Sequence, residues 1–172
     1  MSKTIVADSS ILIAMDRRRK LNVLINLVVK RNIDLVVSPS ILHELVIDAR
    51  EASRKIYPYS PVLAEKLEKS AEKFAELVNK GIIKVVSVNY AKYSKLKDSV
   101  KKRIAKLSSK PEHLVEKADI DIIVLSIQLK DSGGSVILAS DDKTIIKTVK
   151  NFSREIRTAN SKTLFKQLQQ AI

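Results

Sequence analysis

Five carboxylates stand where a fold could gather them. Asp8 closes the apolar run KTIVA, Glu44 follows DLVVSPS, Asp119 lies in EKADIDIIVLSIQL, and Asp141 and Asp142 follow SVILAS. Carboxylates are hard oxygen donors, and when crowded they repel and retain protons unless a cation neutralises them. Mg²⁺ or Mn²⁺ supplies that charge through oxygen coordination at roughly 2.0–2.2 Å. Scattered in sequence but brought to one sheet edge, these acids would form a cage for such an ion. Taken singly, Asp119 and Asp121 are each more commonly solvated helix carboxylates than functional groups, so the expectation rests on the set. At about 100° per residue the two point roughly 200° apart, and Asp119 is the better candidate ligand.

Gathering the acids requires strands that end together. Short β-branched runs predict strands over residues 4–7, 34–37, 82–88, 135–139 and 154–157. Segments of helical period between them predict helices over 10–16, 20–30, 40–56, 60–80, 89–107, 111–130, 142–151 and 161–170. This alternation implies an α/β fold with a mostly parallel sheet and helices on both faces. Ligands in that architecture sit outside the carboxyl ends of the strands, and Asp8, Glu44 and Asp142 all follow predicted strands closely. Asp119 instead lies inside a helix. If Pro111 opens that helix, Leu114, Ala118, Ile122, Leu125 and Leu129 form its core stripe, with Asp119 and Ser126 beside it. The segment YPYSP separates two helical regions, and Gly133 with Gly134 marks the turn into the fourth strand.

Composition bounds the rest. The 172 residues, 45% of them hydrophobic, suit a single domain over 1–172 with a sizeable core. Lys and Arg number 32 against 19 Asp and Glu, and the resulting +13 attracts polyanions such as nucleic acid, though it also serves solubility. Without cysteine there is neither a disulfide nor a thiolate metal site, and a cytoplasmic location is the default expectation. The opening MSKTIVADSS carries too short an apolar run for a secretory signal, and no apolar stretch reaches the ~18 residues of a membrane span.

The motifs VADSS, SPSILHEL, KADIDIIVLSIQL and ILASDDKTI stand in order along this βα pattern. In that order and spacing the chain resembles the PIN-domain ribonucleases, the family that includes VapC-type toxins and ribosomal-RNA processing endonucleases. The resemblance runs from residue 4 to about 157. It implies a PIN-like three-layer α/β fold, with a central, mostly parallel five-stranded sheet flanked by helices. In the family the first strand ends in an Asp followed by small polar residues, which matches Asp8, Ser9 and Ser10. A Pro-initiated helix then presents a Glu, which matches Pro39, Ser40 and Glu44. The third acid lies early in an apolar helix and matches Asp119. The fourth follows a strand in a Thr-x-Asp pattern, here Ser140-Asp141-Asp142, so Asp142 takes the family position and Asp141 is an extra neighbour. The 75 positions from Glu44 to Asp119 exceed those of compact VapC-type toxins and hold a helical extension around 57–80. Zinc-ribbon relatives are matched locally by SPSILHEL and SDDKTI, but this chain has no Cys to build a ribbon.

What the resemblance implies is a divalent-metal-dependent endoribonuclease that hydrolyses RNA phosphodiester bonds, as a VapC-like toxin or an RNA-processing enzyme. Asp8 and Asp142 would carry the main metal contacts, with Glu44 and Asp119 binding directly or through water and orienting the nucleophile. One Mg²⁺ or Mn²⁺, or two about 3.5–4 Å apart, are both open. Ser10 and Ser140 would hold carboxylates or substrate phosphate, although a lone Ser is more often a turn or cap residue. Single-stranded RNA is the expected partner, an antitoxin protein and a homodimer are left open, and no membrane is expected. The alternative is a catalytically silent PIN-fold RNA-binding or ribosome-associated scaffold. A phosphoryl-transfer receiver or phosphatase would also place Asp8 after the first strand, but this chain lacks the partner acids and the Lys or DxDxT-like arrangement expected of them.

Basic residues supply the other half of this reading. Residues 90–117 hold nine Lys and Arg against three acids, and their densest run is Lys101, Lys102 and Arg103. That segment, with Arg17, Arg18, Arg19 and Lys20 near the site edge, is expected to meet phosphates, a solvated face being equally consistent. Tyr57, Tyr59, Tyr90 and Tyr93 are expected to pack at helix ends rather than stack on bases. His43 and His113 are not expected in catalysis.

Overall fold

Short β-branched runs that are apolar at consecutive positions decide the architecture. In the computed structural model, which describes residues 2–170, one five-stranded sheet forms in the order β3-β2-β1-β4-β5. Its strands are β1 (Lys3–Ala7), β2 (Asp34–Val37), β3 (Ile83–Val85), β4 (Ser135–Ala139) and β5 (Arg157–Ala159). Every pairing is parallel, and Ile5 lies opposite Leu35 and Ile137 while Val6 lies opposite Val36 and Leu138. Side chains alternate between faces, so Ile5, Leu35 and Ile137 enter one core and Val6, Val36 and Leu138 the other. Both faces are therefore apolar and both need helices.

The first face is covered by α1 (Ser9–Arg17), α2 (Leu21–Lys30), α3 (Pro39–His43), α5 (Pro61–Asn79) and α9 (Leu164–Gln170), through residues such as Ile11, Leu24, Ile41, Phe74 and Leu168. The second is covered by α6 (Tyr90–Ser108), α7 (Lys117–Asp131) and α8 (Lys143–Phe152), through Val100, Ile123 and Val149. This is the three-layer α/β arrangement that the sequence implies. Helix starts follow local chemistry. Ser38 caps α3 by accepting from the Ile41 N–H at 3.2 Å, with Pro39 at the first helical position. Ser60 with Pro61 does the same for α5, and Asn89 caps α6. Among the described residues no helix is long and apolar enough to cross a membrane.

Five expectations are corrected. The helix predicted over 40–56 is interrupted: α3 passes into a π-helical turn, Glu44–Asp48, before α4 (Ala49–Ile56). Nothing in the apolar periodicity of ELVID marks such a turn, whose hydrogen bonds shift by one residue. The helix predicted from Pro111 begins instead at Lys117. Pro111 leads into one 3₁₀ turn, Glu112–Leu114, and Val115 and Glu116 are extended, so Leu114 is exposed rather than core. The last strand lies at Arg157–Ala159 rather than 154–157 because its pairing with Ile137–Ala139 sets the register. Tyr57 and Tyr59 are 63% and 88% exposed rather than packed, whereas Tyr93 is buried, with its hydroxyl donating to Asp131 at 2.8 Å. The third strand is also shorter than expected, and Gly133 makes the turn before β4 with φ of +90°, a conformation that favours glycine.

The segment around 57–80 is built into the core. Helix α5 packs along α4 and buries Ala64, Ala71 and Phe74, the last only 1% exposed. Phe74→Ala is expected to lower the free energy of unfolding by about 3–5 kcal/mol, read from a denaturant titration. A loss under about 1 kcal/mol would instead place α5 outside the cooperative core.

Candidate active site

The strand order reverses direction at β1, since β2 lies on one side and β4 on the other, and this leaves a crevice at their carboxyl ends. Asp8 sits there. Its N–H continues the ladder to the Ala139 carbonyl at 2.9 Å, and the Ser140 N–H does the same to Ala159 at 2.9 Å. The side chain of Asp8, 7% exposed, accepts at Oδ2 from Ser140 Oγ at 2.8 Å and from Ser10 Oγ at 3.1 Å. Each hydroxyl also accepts from a backbone N–H of the loop after β4: Ser140 Oγ from Asp142 in its own loop at 3.0 Å, and Ser10 Oγ from Asp141 across the two segments at 3.2 Å. Two serines thus tie the end of β1 to the loop after β4 through one carboxylate oxygen.

The other acids arrive on helices. Asp142 caps α8, with Oδ1 accepting from the Thr144 N–H at 2.8 Å. Glu44 opens the π turn and accepts from Ser9 Oγ at 2.6 Å. Because α7 begins at Lys117, directly after Glu116, Asp119 falls in that helix's first turn, where the N-terminal dipole favours an acid. Asp119 is half-buried rather than solvated. Asp121 is corrected more strongly: it is 4% exposed, accepts from Ser40 Oγ at 2.9 Å through Oδ2, and leaves Oδ1 without a partner. Its helix is enclosed on all sides at that point, so no face remains for solvent.

Electrostatics joins Asp8, Glu44, Asp119 and Asp142 into one group. Burial raises the Asp8 carboxyl, the hydroxyls of Ser140 and Ser10 and the Ser9 N–H pull it down, and Asp142 raises it again. Glu44 is raised by burial, lowered by Ser9, and raised by Asp8, Glu116 and Asp48. Asp119 is pushed up to about 7, first by burial and then by repulsion from Asp8, Glu116, Asp142 and Glu44, with no hydrogen bond acting in the opposite direction. The donors are oxygens throughout, which suits a hard divalent cation that would relieve the repulsion. As the side chains stand, no three His, Asp or Glu groups among the described residues are close enough together to hold a metal ion. The donor chemistry fits such an ion.

Several expected residues stand apart from this group. Asp141 is exposed, and its Oδ1 accepts from the Ser161 N–H at 2.8 Å. Arg17, Arg18 and Arg19 are exposed at the far end of α1, and Arg18 reaches Ser161 Oγ at 3.3 Å, which links it to the Asp141 side of the rim. Lys101, Lys102 and Arg103 are consecutive on α6 and so fan around the helix; of the three only Lys102 is fully exposed, and Arg103 is bound to Asn151 Oδ1 at 2.8 Å. His43 faces outward and pairs with Asp48 at 3.1 Å. The motifs assign no site role to three contributors: the Ser9 hydroxyl, matched only as a small polar residue after Asp8; Glu116; and Asp121, set aside in favour of Asp119. An acid three residues before Asp119 at a helix start, and another inside the apolar run IDIIVLS, were the available signals.

An all-parallel five-stranded sheet of this order, flanked by helices and with carboxylates at its reversal edge, is a PIN-like three-layer arrangement. The sequence matches the family described as halobacterial PIN domain over residues 1–170, and the chain belongs to that family. PIN domains are in general nucleases, hydrolases that typically use divalent metals, and they point to RNA as substrate. No curated protein matches the chain.

The raised Asp119 has a consequence for stability. Its ordinary value is 3.8, so between there and about 7 the folded chain binds a proton that the unfolded chain has released. Without metal, stability therefore falls as pH rises through that window. Asp119→Asn is expected to flatten this fall and to raise the thermal midpoint above pH 7 in EDTA, measured by circular dichroism. An unaltered pH slope in the variant would show that this carboxylate is not crowded as described.

Proposed function

We propose that this chain is a divalent-metal-dependent endoribonuclease that hydrolyses phosphodiester bonds of single-stranded RNA in the cytoplasm. The observation that carries the reading is the hydrogen-bonded frame at the carboxyl ends of β1 and β4, in which Ser10 and Ser140 hold Asp8, Ser9 holds Glu44 and Asp142 opens α8, with the charge of Asp119 crowded against them. Mg²⁺ or Mn²⁺, when bound, lowers the pKa of attacking water and neutralises charge on the phosphoryl oxygens. Asp8 and Asp142 are assigned as the principal ligands, Asp8 being held in orientation by Ser10 and Ser140. Glu44, steadied by Ser9, and Asp119 act as further ligands or as acceptors that orient the water. Asp141 and Arg18, joined through Ser161, lie on one rim and are assigned to substrate or ion contacts there.

Both a VapC-like toxin and an RNA-processing enzyme use this chemistry. In the first role an antitoxin protein is the natural partner, and a homodimer is compatible with either.

Cleavage of a labelled single-stranded RNA should require Mg²⁺ or Mn²⁺ and stop in excess EDTA. Asp8→Asn and Asp142→Asn should each remove most of the cleavage while retaining RNA binding, since they take away ligand charge rather than basic surface. Equal turnover in metal-free buffer, or wild-type rates in both variants, would reject the mechanism. RNA binding without cleavage under any metal would instead leave a scaffold.

A further inference from the structure

Helix α8 starts immediately after Asp142, and its sequence KTIIKTVKNF contains no acid. Ile145, Thr148 and Val149 are buried, which leaves Lys143, Lys147 and Lys150 exposed at spacings of four and three, in one stripe along the outer face. Lys143 and Lys150 are roughly 10 Å apart along the axis at 1.5 Å per residue, and exposed Arg154 continues the line beyond the helix end. None of these four cations forms an ion pair among the described residues, and the nearby Glu155 is paired with Lys130 at 3.7 Å.

The far end of the stripe is shaped. Lys150, Asn151 and Arg154 line a shallow depression of about 370 Å³. Asn151 is fixed there, donating to the Lys147 carbonyl at 2.8 Å and accepting from Arg103 Nη2 at 2.8 Å, so that a further guanidinium stands behind the depression. A surface that is basic only for solubility intersperses acids, as α5 does with its Lys69–Glu65 and Lys80–Glu76 pairs. Helix α8 does the reverse and accumulates unrelieved positive charge beside the acid cluster, an arrangement suited to a phosphate chain.

We propose that the outer stripe of α8 is the track for the RNA strand that leaves the acid cluster. Lys143, Lys147, Lys150 and Arg154 contact successive phosphates, and the depression between Lys150 and Arg154 holds a phosphate several nucleotides from the cut bond. The track deepens the ribonuclease reading and rests on it. It narrows the substrate to RNA that continues past the cleavage site as an extended strand long enough to reach the depression.

The test compares wild type, a track variant (Lys147→Ala, Lys150→Ala and Arg154→Ala together) and a charge-matched control. The control carries Arg54→Ala, Lys55→Ala and Lys66→Ala, exposed residues of α4 and α5. Binding of labelled oligouridylate is measured by fluorescence anisotropy in EDTA across a salt series, with folding checked by circular dichroism. The track variant should bind at least tenfold more weakly at low salt and lose about 2 from the slope of log affinity against log salt, at ~0.7 per contact. The control should keep the wild-type slope. With Mg²⁺ added, the track variant should show a raised KM on long oligouridylate but a wild-type KM on an oligonucleotide too short to reach Lys150. Equal losses in both variants would reduce the effect to net charge and overturn the track. An unchanged slope in the track variant would overturn it while leaving the nuclease reading intact, and a wild-type chain that neither binds nor cleaves RNA would overturn both.

Discussion

Repulsion among Asp8, Glu44, Asp119 and Asp142 at the carboxyl edge of β1 and β4 works against folding, and much of the local structure acts to contain it. Hydroxyl groups do most of the containment. Ser10 and Ser140 both donate to Asp8, and Ser9 donates to Glu44, each lowering the tendency of its carboxylate to hold a proton. Asp119 has no such donor, and it is the acid pushed furthest, to about 7. A cation supplied at this edge would remove the same cost that the serines only reduce. The site is thus a place where crowded charge opposes folding and where a cationic ligand would relieve it.

Helix α7 links this chemistry to the core. Its middle is buried on every side, so its position is set by packing, and its first turn is held where Asp119 meets the other acids. The Ser40–Asp121 bond then ties α7 to α3, whose continuation bears Glu44. Charge on the remainder of the chain has the opposite sign. A net +13 surrounds a small acidic basin, an arrangement that draws a polyanion to the surface while the basin needs cations of its own.

The strands and the acids that follow them are readable from the chain because both depend on local chemistry. Short continuous β-branched runs specify buried strands, Ser38-Pro39 specifies a helix start, and an acid directly after a strand has few places to go but the sheet edge. The π turn at Glu44, the late start of α7 and the shift of β5 are not readable this way. Each depends on which hydrogen bonds remain available once neighbouring elements have packed, and residues 111–116 are as compatible with a helix as with the 3₁₀ turn and extended link observed.

By itself the sequence determined the α/β class, the order of strands and helices, and the acidic positions that could share an edge, because those follow from periodicity, capping and residue type. Only the tertiary structure decided how the candidates divide. It separated Asp142 in the acid group from Asp141 on the rim, buried Asp121, brought in Ser9 and Glu116, and aligned the lysines of α8 beside Asp142. These outcomes turn on distances between segments far apart in the chain, and repulsion, burial and hydrogen bonding act through such distances rather than through spacing in sequence.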